Sequence, residues 1–442
     1  MGQETIHKLK HPVQAEIQIP GDKSISHRSV IFGSIAHGLT EVSNFLTGED
    51  CICTMNAFKA MGVEIEFNEA KRTLKIQGKG FSSLTKPNQE IYLGNSGTGM
   101  RLLTGLFSGL AFSTTLTGDA SLSGRPMARV IDPLTEMGAK IESQEGKKAP
   151  LIINPVKKLQ AINYISKIAS AQVKSAILLA GLSADGITSV TEPEKSRDHT
   201  ERMMQGFGAD LKVDGLKVSI NGSQSLSKLQ GQKIEVPGDI SSAAFFLVAG
   251  AILENAELRL ISVGINPTRT GILDVLKSMQ ANFELVNMRE VNREPIADII
   301  IRSSKLKACI IEGDIIPRLI DEIPVISILA AQAQGTTIIK DAAELKVKES
   351  NRIATTINML RKLGVTVEET DDGMIIEGRA GKPFEPADGT SQTGSIDSHG
   401  DHRLAMSSAI AALHSTKPIT ILQTEFVATS FPEFFKILAK LK

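Results

Sequence analysis

Cations in this chain gather beside turns built from Gly, Ser, Asn and Asp. Lys23, Ser24 and Arg28 follow Pro20-Gly21-Asp22, and Asn95, Gly97, Thr98 and Arg101 lie in or just after Gly94-Asn95-Ser96-Gly97. Arg125 follows the next strand-like run, Arg197 the one after Ala169-Ser170-Ala171-Gln172, and Lys348, Arg352 and Arg403 stand near two later turns. An Arg grips a carboxylate or phosphate through two parallel N–H donors, and each hydrogen bond to a charged group contributes about 1.5–3 kcal/mol. Several together suit a substrate with more than one anionic group. Asp321-Glu322 and Lys348-Glu349 add carboxylates, and a carboxylate beside cations can exchange protons during a reaction. The chemistry to expect is proton transfer on a bound polyanion.

These turns need elements that aim them at one place, and the pattern around them supplies helix starts. Pro20-Gly21-Asp22-Lys23-Ser24 and Pro237-Gly238-Asp239-Ile240-Ser241 each follow a short alternating run (AEIQI, QKIEV) and open a helix of small residues. Comparable openings recur at Gly94-Asn95-Ser96-Gly97, Ala169-Ser170-Ala171-Gln172, Ile320-Asp321-Glu322 and Gly400-Asp401-His402, about 70–80 residues apart, a period that signals internal repeats. A helix start leaves backbone N–H groups unpaired and carries about half a positive charge. Three such ends from each of two globes, facing one cleft, would bias it towards anions.

A second feature repeats with the same period. An amphipathic helix stops at Gly and passes into a β-run in KAMGVEIEF, TEMGAKIES, QGFGADLKV and RKLGVTVEE, with SMQANFELV as the copy that lacks Gly. Glycine is what a left-handed helix C-cap favours. Asp214-Gly215 marks a two-residue hairpin turn between LKV and LKVSI. Each unit therefore reads helix, strand, helix, two strands, giving an α/β chain of six units in two domains of three. The sixth unit ends the chain inside its second helix, so its missing strands must come from residues 1–19. The expected domains are 1–20 with 238–442, and 21–237, with the active site in the cleft between them and a Pro-Gly pair at each crossing.

Composition removes other classes. Lys plus Arg (49) cancels Asp plus Glu (49), the pI is near 7.1, aromatics are 4% and there is no Trp. That balance speaks against a nucleic-acid partner, a polybasic membrane binder or a base-stacking platform. Cys51, Cys53 and Cys309 cannot build a disulfide framework and read as thiols of a reducing compartment. MGQETIHKLK lacks the apolar stretch of a signal peptide, and the run from Ala243 to Leu253 is about half a membrane span. The expectation is a soluble, cytoplasmic protein. Gly94 to Gly99 lacks the Lys-Ser/Thr of a nucleotide loop, and its small residues fit close approach of backbone N–H groups to an anion. His399 and His402 flank Asp401 at metal-like spacing, but a helix start accounts for them, so no metal is assigned.

The motifs GDKSISHRS, LGNSGTGMR, GRPM, SAQVKSA, SRDHTERM, LKVKESNR, GDHRLAM and FPEF occur in the order found in the EPSP synthases, the 3-phosphoshikimate 1-carboxyvinyltransferases. The chain resembles that family from about residue 5 to residue 440. The resemblance implies two globes, each of three βαβαββ repeats, in an EPT/RTPC-like inside-out α/β barrel. It implies transfer of the enolpyruvyl group of phosphoenolpyruvate to the 5-hydroxyl of shikimate 3-phosphate, by a monomer that needs no cofactor. By the same resemblance Lys23 touches both substrates, and Ser24, Arg28, Ser170, Ala171, Gln172, Arg197, Asp321 and Lys348 hold shikimate 3-phosphate. Gly97, Arg125, Gln172, Arg352 and Arg403 hold phosphoenolpyruvate. Lys23, Asp321 and Glu349 are the catalytic set: Asp321 takes the hydroxyl proton, and Lys23 or Glu349 protonates C3.

Two positions depart from the commonest family pattern. Ala171 replaces a serine and Ser430 stands where many members carry lysine before FPEF, which resembles a bacterial subclass that binds glyphosate poorly. Gly97 is instead the small residue of sensitive members. The rivals are UDP-N-acetylglucosamine enolpyruvyl transferase, RNA 3′-phosphate cyclase and a non-catalytic anion-binding protein on the same scaffold. The first uses a mid-chain cysteine, and this chain has none between residues 54 and 308.

Overall fold

A computed structural model describes residues 2–9, 12–386 and 393–441. The repeating unit is plainest in its second copy. Ile91–Tyr92 pairs in parallel with Thr114–Thr117, and the helix Gly97–Phe107 makes the crossover. The helix Ala128–Glu136 then leads into the hairpin Lys140–Gln144 and Lys148–Asn154, whose second strand lies antiparallel on Thr114–Thr117. Alternation does the sorting, as Leu151 and Ile153 are buried and Ile152 is not. The same first–second–fourth–third order recurs in the sheets built on Ile187–Thr191, Glu257–Gly264 and Thr336–Ile339, and the sheet on His37–Ser43 has the same layout with its first place filled by the late strand Lys233–Glu235.

Helix ends explain why the repeat was readable. Gly62, Gly138, Gly208 and Gly364 all take positive φ (86°, 89°, 99° and 75°) after the second helix of their units. In the copy without glycine, Gln280 accepts the same left-handed conformation at φ 61°. The Asp214-Gly215 turn is displaced by one residue from its expected place. Asp214 closes the ladder opposite Lys217, and Gly215-Leu216 form the loop.

The chain divides into two compact units, Met1–Pro20 with Pro237–Glu290 and Pro295–Lys442, and Gly21–Val236 with Val291–Glu294. Pro237 thus counts with the segment after it, one residue earlier than expected. The short piece Val291–Glu294 is the tip of the hairpin formed by Asn282–Val291 and Glu294–Arg302. It counts with Gly21–Val236 because the Asn292 amide accepts from Glu235 N–H (2.9 Å) and donates to the Lys233 carbonyl (2.7 Å). Glu294 also accepts from His199 Nδ1 at 2.8 Å.

Strands donated from far along the chain complete three sheets. Lys233–Glu235 lies parallel to His37–Ser43, and Gln14–Gln18 parallel to Glu257–Gly264. Gln3–Ile6 runs antiparallel to Ile419–Leu422, with Gln3 opposite Leu422. The sheets are open and separate, so hydrogen bonding closes no barrel among the described residues. The inside-out character lies in the helices: every residue of Ile240–Ile252, Ile323–Gln332 and His402–Ala412 is buried, and these three helices pack on one another. In the other unit, Gly97–Phe107 crosses Ala171–Gly181 so closely that a Cβ on Gly105 would sit 2.2 Å from the Ala176 carbonyl oxygen. Among the described residues no helix is long and apolar enough to cross a membrane.

Candidate functional site

In Gly21–Val236 the helix openings carry the cations. Asp22 caps the helix Lys23–Ile35 by accepting from Ile25 N–H (2.8 Å), which fixes Lys23 in its first turn. Lys23 Nζ meets Asp50 Oδ2 at 2.9 Å, and Asp50 is itself buried. One turn on, Arg28 is held on three sides. Its Nε donates to Thr200 Oγ1 (2.7 Å), Nη2 to Ser175 Oγ (2.9 Å) and Nη1 to the Ser24 carbonyl (3.0 Å). Burial brings its pKa down to about 10 although Glu201 and Asp22 oppose the shift; the nearby Arg197 adds to it.

Ser96 caps the helix Gly97–Phe107 through Gly99 N–H at 2.9 Å. That helix presents Arg101, whose Nη1 donates to Gln172 Oε1 (2.9 Å), while Gln172 Nε2 donates to Thr98 Oγ1 (3.0 Å). Arg125 Nη2 donates to Asn95 Oδ1 (2.5 Å) and Ser121 Oγ (3.2 Å), and Asn95 in turn donates to Asp119. Gly97 is therefore flanked by two guanidinium groups. Ser170 opens the helix Ala171–Gly181 without a side-chain cap, and its N–H donates to Glu192 Oε1 at 3.0 Å. Ala171 brings no polar side chain to this turn.

The other unit gathers the carboxylates on one arginine. Arg352 is fully buried, and its Nε donates to Asp401 Oδ2 at 2.8 Å. Its Nη1 reaches Asp321 Oδ1 at 3.2 Å and its Nη2 reaches Glu349 Oε2 at 2.6 Å. Burial disfavours its charge, but Asp401, Glu349 and Asp321 outweigh that and hold its pKa far above the ordinary value. Lys348 adds a fourth side chain, 3.5 Å from Asp321 and 3.4 Å from Glu344. The Arg403 side chain makes none of these ion pairs. It donates to the Ser241 carbonyl (3.1 Å) and stands 5.9 Å from the Phe245 ring centre.

The adjacent acids Asp321 and Glu322, both acid–base candidates in the sequence, have separate fates. Asp321 is partly exposed, whereas Glu322 is buried and accepts from Ser241 Oγ, a structural contact. Asp401, between two histidines, is committed to its own helix start. It caps its helix through Arg403 N–H (2.9 Å), accepts from Ser350 and pairs with Arg352. Among the described residues no three His, Cys, Asp or Glu side chains form a metal cluster. The Cys53 thiol is pushed up to about 11 by burial and by Asp50 and Glu49, an unreactive state.

Sequence reasoning passed over Asp50, Lys174, Glu192, Glu201 and Arg269. Lys174 carried a signal, as the one charge in the otherwise small and apolar run Ser170 to Gly181 apart from Gln172. Arg269 is buried against Asp239 (3.3 Å) and Ser241 Oγ (2.5 Å), beneath the carbonyl that holds Arg403.

A model of the family described as EPSP synthase (3-phosphoshikimate 1-carboxyvinyltransferase) matches residues 8–438. A 3-phosphoshikimate 1-carboxyvinyltransferase of Geobacter sulfurreducens is 53% identical over 435 residues, 98% of each chain. One from Bacillus subtilis is 51% identical over 430 residues, 97% of each. A solved EPSP synthase of Acinetobacter baumannii superposes with a TM-score of 0.87 at 47% identity, covering 99% of this chain and 98% of the other. The enolpyruvyl transferase NikO of Streptomyces tendae shares the fold, with a TM-score of 0.78 at 16% identity over 99% of this chain and 96% of its own.

Proposed function

Because the chain belongs to the EPSP synthase (3-phosphoshikimate 1-carboxyvinyltransferase) family, we propose that it transfers the enolpyruvyl group of phosphoenolpyruvate to the 5-hydroxyl of shikimate 3-phosphate. Lys23, Ser24, Arg28, Ser170, Gln172 and Arg197, with the backbone at Ala171, hold the phosphate and ring of shikimate 3-phosphate. Lys23, Gly97, Arg125, Gln172, Arg352 and Arg403 take phosphoenolpyruvate, and Lys348 steadies the shikimate hydroxyls beside Asp321.

In this reading the hydroxyl oxygen attacks C2 of phosphoenolpyruvate while Asp321 accepts its proton, and Lys23 or Glu349 delivers a proton to C3. The tetrahedral adduct then loses a C3 proton as the bond from C2 to the phosphate oxygen breaks. The products are the enolpyruvyl ether and inorganic phosphate. The observation that supports this most is the Arg352 cluster. One buried cation, clamped by Asp401, carries two partly exposed carboxylates and a lysine within 3.5 Å of one of them. That arrangement gives a proton acceptor, a proton donor and an anion grip on one scaffold.

Ala171 and Ser430 support placing the chain in the subclass that binds glyphosate poorly, and Gly97 argues for the sensitive one. The inhibition constant for glyphosate against phosphoenolpyruvate decides between them. The function itself is tested by phosphate release with phosphoenolpyruvate plus shikimate 3-phosphate, run beside UDP-N-acetylglucosamine as acceptor. Release is expected only with the former, and an Asp321→Ala variant should lose about 10²–10⁴ in kcat. Release with the sugar nucleotide alone would overturn the reading.

A further inference from the structure

Three charges lie buried where the proposed mechanism leaves them unused. Lys174 Nζ is 2.7 Å from Glu192 Oε2 and 2.7 Å from Glu201 Oε1, and none of the three side chains is more than 4% exposed. Such a triad costs several kcal/mol per ion to desolvate, and well-packed apolar residues often serve stability as well. Burial disfavours the Lys174 charge, but the two carboxylates outweigh it and raise its pKa, so the ammonium persists. A stabilising role alone does not explain why this ion stands in a helix of small and apolar residues.

Its contacts do. Glu192 spends its other oxygen on Ser170 N–H (3.0 Å), at the turn that opens the helix Ala171–Gly181. Lys174 Nζ also reaches the Ser196 carbonyl at 3.5 Å, next to Arg197. The remaining arm ends on Glu201, whose neighbour Thr200 takes Arg28 Nε. Two dipeptides thus divide one task. In Lys174-Ser175 and Thr200-Glu201, one residue of each makes the ion pair and the other holds Arg28, and Ser175 Oγ and Thr200 Oγ1 are themselves 2.6 Å apart. Ser170, Arg197 and Arg28 come from three segments, and Lys174 ties to each: through Glu192 to the Ser170 N–H, at the Ser196 carbonyl beside Arg197, and through Glu201 beside the Thr200 that holds Arg28.

We propose that Lys174, with Glu192 and Glu201, is a positioning residue for the phosphate of the shikimate substrate: it sets the Ser170 turn, Arg197 and the Arg28 socket at the mutual spacing one phosphate requires. The inference rests on the assignment of those three residues to shikimate 3-phosphate. Steady-state kinetics on the full chain test it with K174M, E192Q, R197A and the K174M/R197A double variant. K174M should raise the shikimate 3-phosphate KM about tenfold or more, with the phosphoenolpyruvate KM moving less than about threefold. In the R197A background the same change should raise that KM by a smaller factor than in the parent, since part of its effect runs through Arg197.

A folded K174M with a shikimate 3-phosphate KM within about twofold of the parent, or with both KM values rising together, would overturn the proposal. If K174M does not fold, E192Q decides. It keeps the side-chain shape and the Ser170 acceptor, and it should still raise that KM about fivefold; no change would overturn the role. The control separates the two readings. An R197A variant with an unaltered shikimate KM removes the site assignment and the positioning role together, whereas an impaired R197A beside a silent K174M removes the positioning role alone.

Discussion

Adding one methyl group at Gly97 should act on phosphoenolpyruvate and leave the fold intact. A Cβ built there lies 2.8 Å from Arg101 Nη1 and 3.1 Å from Arg125 Nη1. To regain ordinary contact distance, Arg101 must retreat by about 0.6 Å and Arg125 by about 0.3 Å. Both atoms are the far ends of flexible side chains, so the two guanidinium groups shift while the backbone stays in place. Arg125 is assigned to phosphoenolpyruvate, and losing one hydrogen bond from its displaced guanidinium to that anion costs about 1.5–3 kcal/mol, so the phosphoenolpyruvate KM of Gly97→Ala should rise about 10- to 150-fold. The shikimate 3-phosphate KM should rise less, because Gln172 keeps its bond to Thr98. Gly97 sits in the first turn of a helix, where Ala is favoured over Gly by up to about 1 kcal/mol, so Tm should hold or increase. Phosphate release measured against phosphoenolpyruvate at saturating shikimate 3-phosphate, with a thermal melt, checks both. A phosphoenolpyruvate KM within twofold of the parent would refute the steric argument, and a large drop in Tm would refute the claim that the change is local.

Asp401→Asn strips the buried Arg352 of its central partner; breaking such a pair costs about 3–5 kcal/mol, or a fall in Tm of about 6–20 °C, and a melt shifted by less than 2 °C contradicts it. Ser430 is buried, and among the described residues its Oγ has no hydrogen-bond partner, so Ser430→Ala should leave stability and the phosphoenolpyruvate KM unchanged; a drastically raised KM rules this out. His27 has its pKa pushed well below 6.5 by burial, with Lys23 and Arg28 adding to the effect. The unfolded chain therefore takes up a proton that the folded one resists, and stability, complete above about pH 7.5, falls by about 1.4 kcal/mol per unit as pH drops below 6.5. Urea unfolding at pH 7 and 5.5 should show a shallower slope in His27→Gln, and an identical slope would sink the assignment; His414, lowered in the same direction, keeps some slope in either protein.

What the sequence conveyed and what it hid differ in range. Helix stops depend on one residue and its neighbours, so four glycines marked them, and Gln280 shows the same geometry reached without the marker. The donated strand Gln3–Ile6 followed from counting, since the last unit lacked strands of its own. Ion networks depend on side chains that meet only after folding. Nothing in the spacing of Lys174, Glu192 and Glu201 ties them together, and Asp401 read as part of a helix start with no sign that it also pairs with Arg352. Glu322 illustrates the converse: beside Asp321 it looked equally reactive, and only burial against Ser241 separates them.

The pairing of Gln3–Ile6 with Ile419–Leu422 has a consequence during synthesis. Gln3–Ile6 leaves the ribosome more than 400 residues before the partner it waits for. At about 5–20 residues per second, the intervening stretch takes about 20–80 s to translate. Gly21–Val236 is complete long before then, while Gln3–Ile6 remains an unclaimed edge open to wrong pairing. Its composition suits that wait: Gln3, Glu4 and Thr5 stay exposed even in the finished sheet, and Ile6 alone of that strand is buried. A strand that must stay single through most of a nascent chain's growth is written in residues that water tolerates.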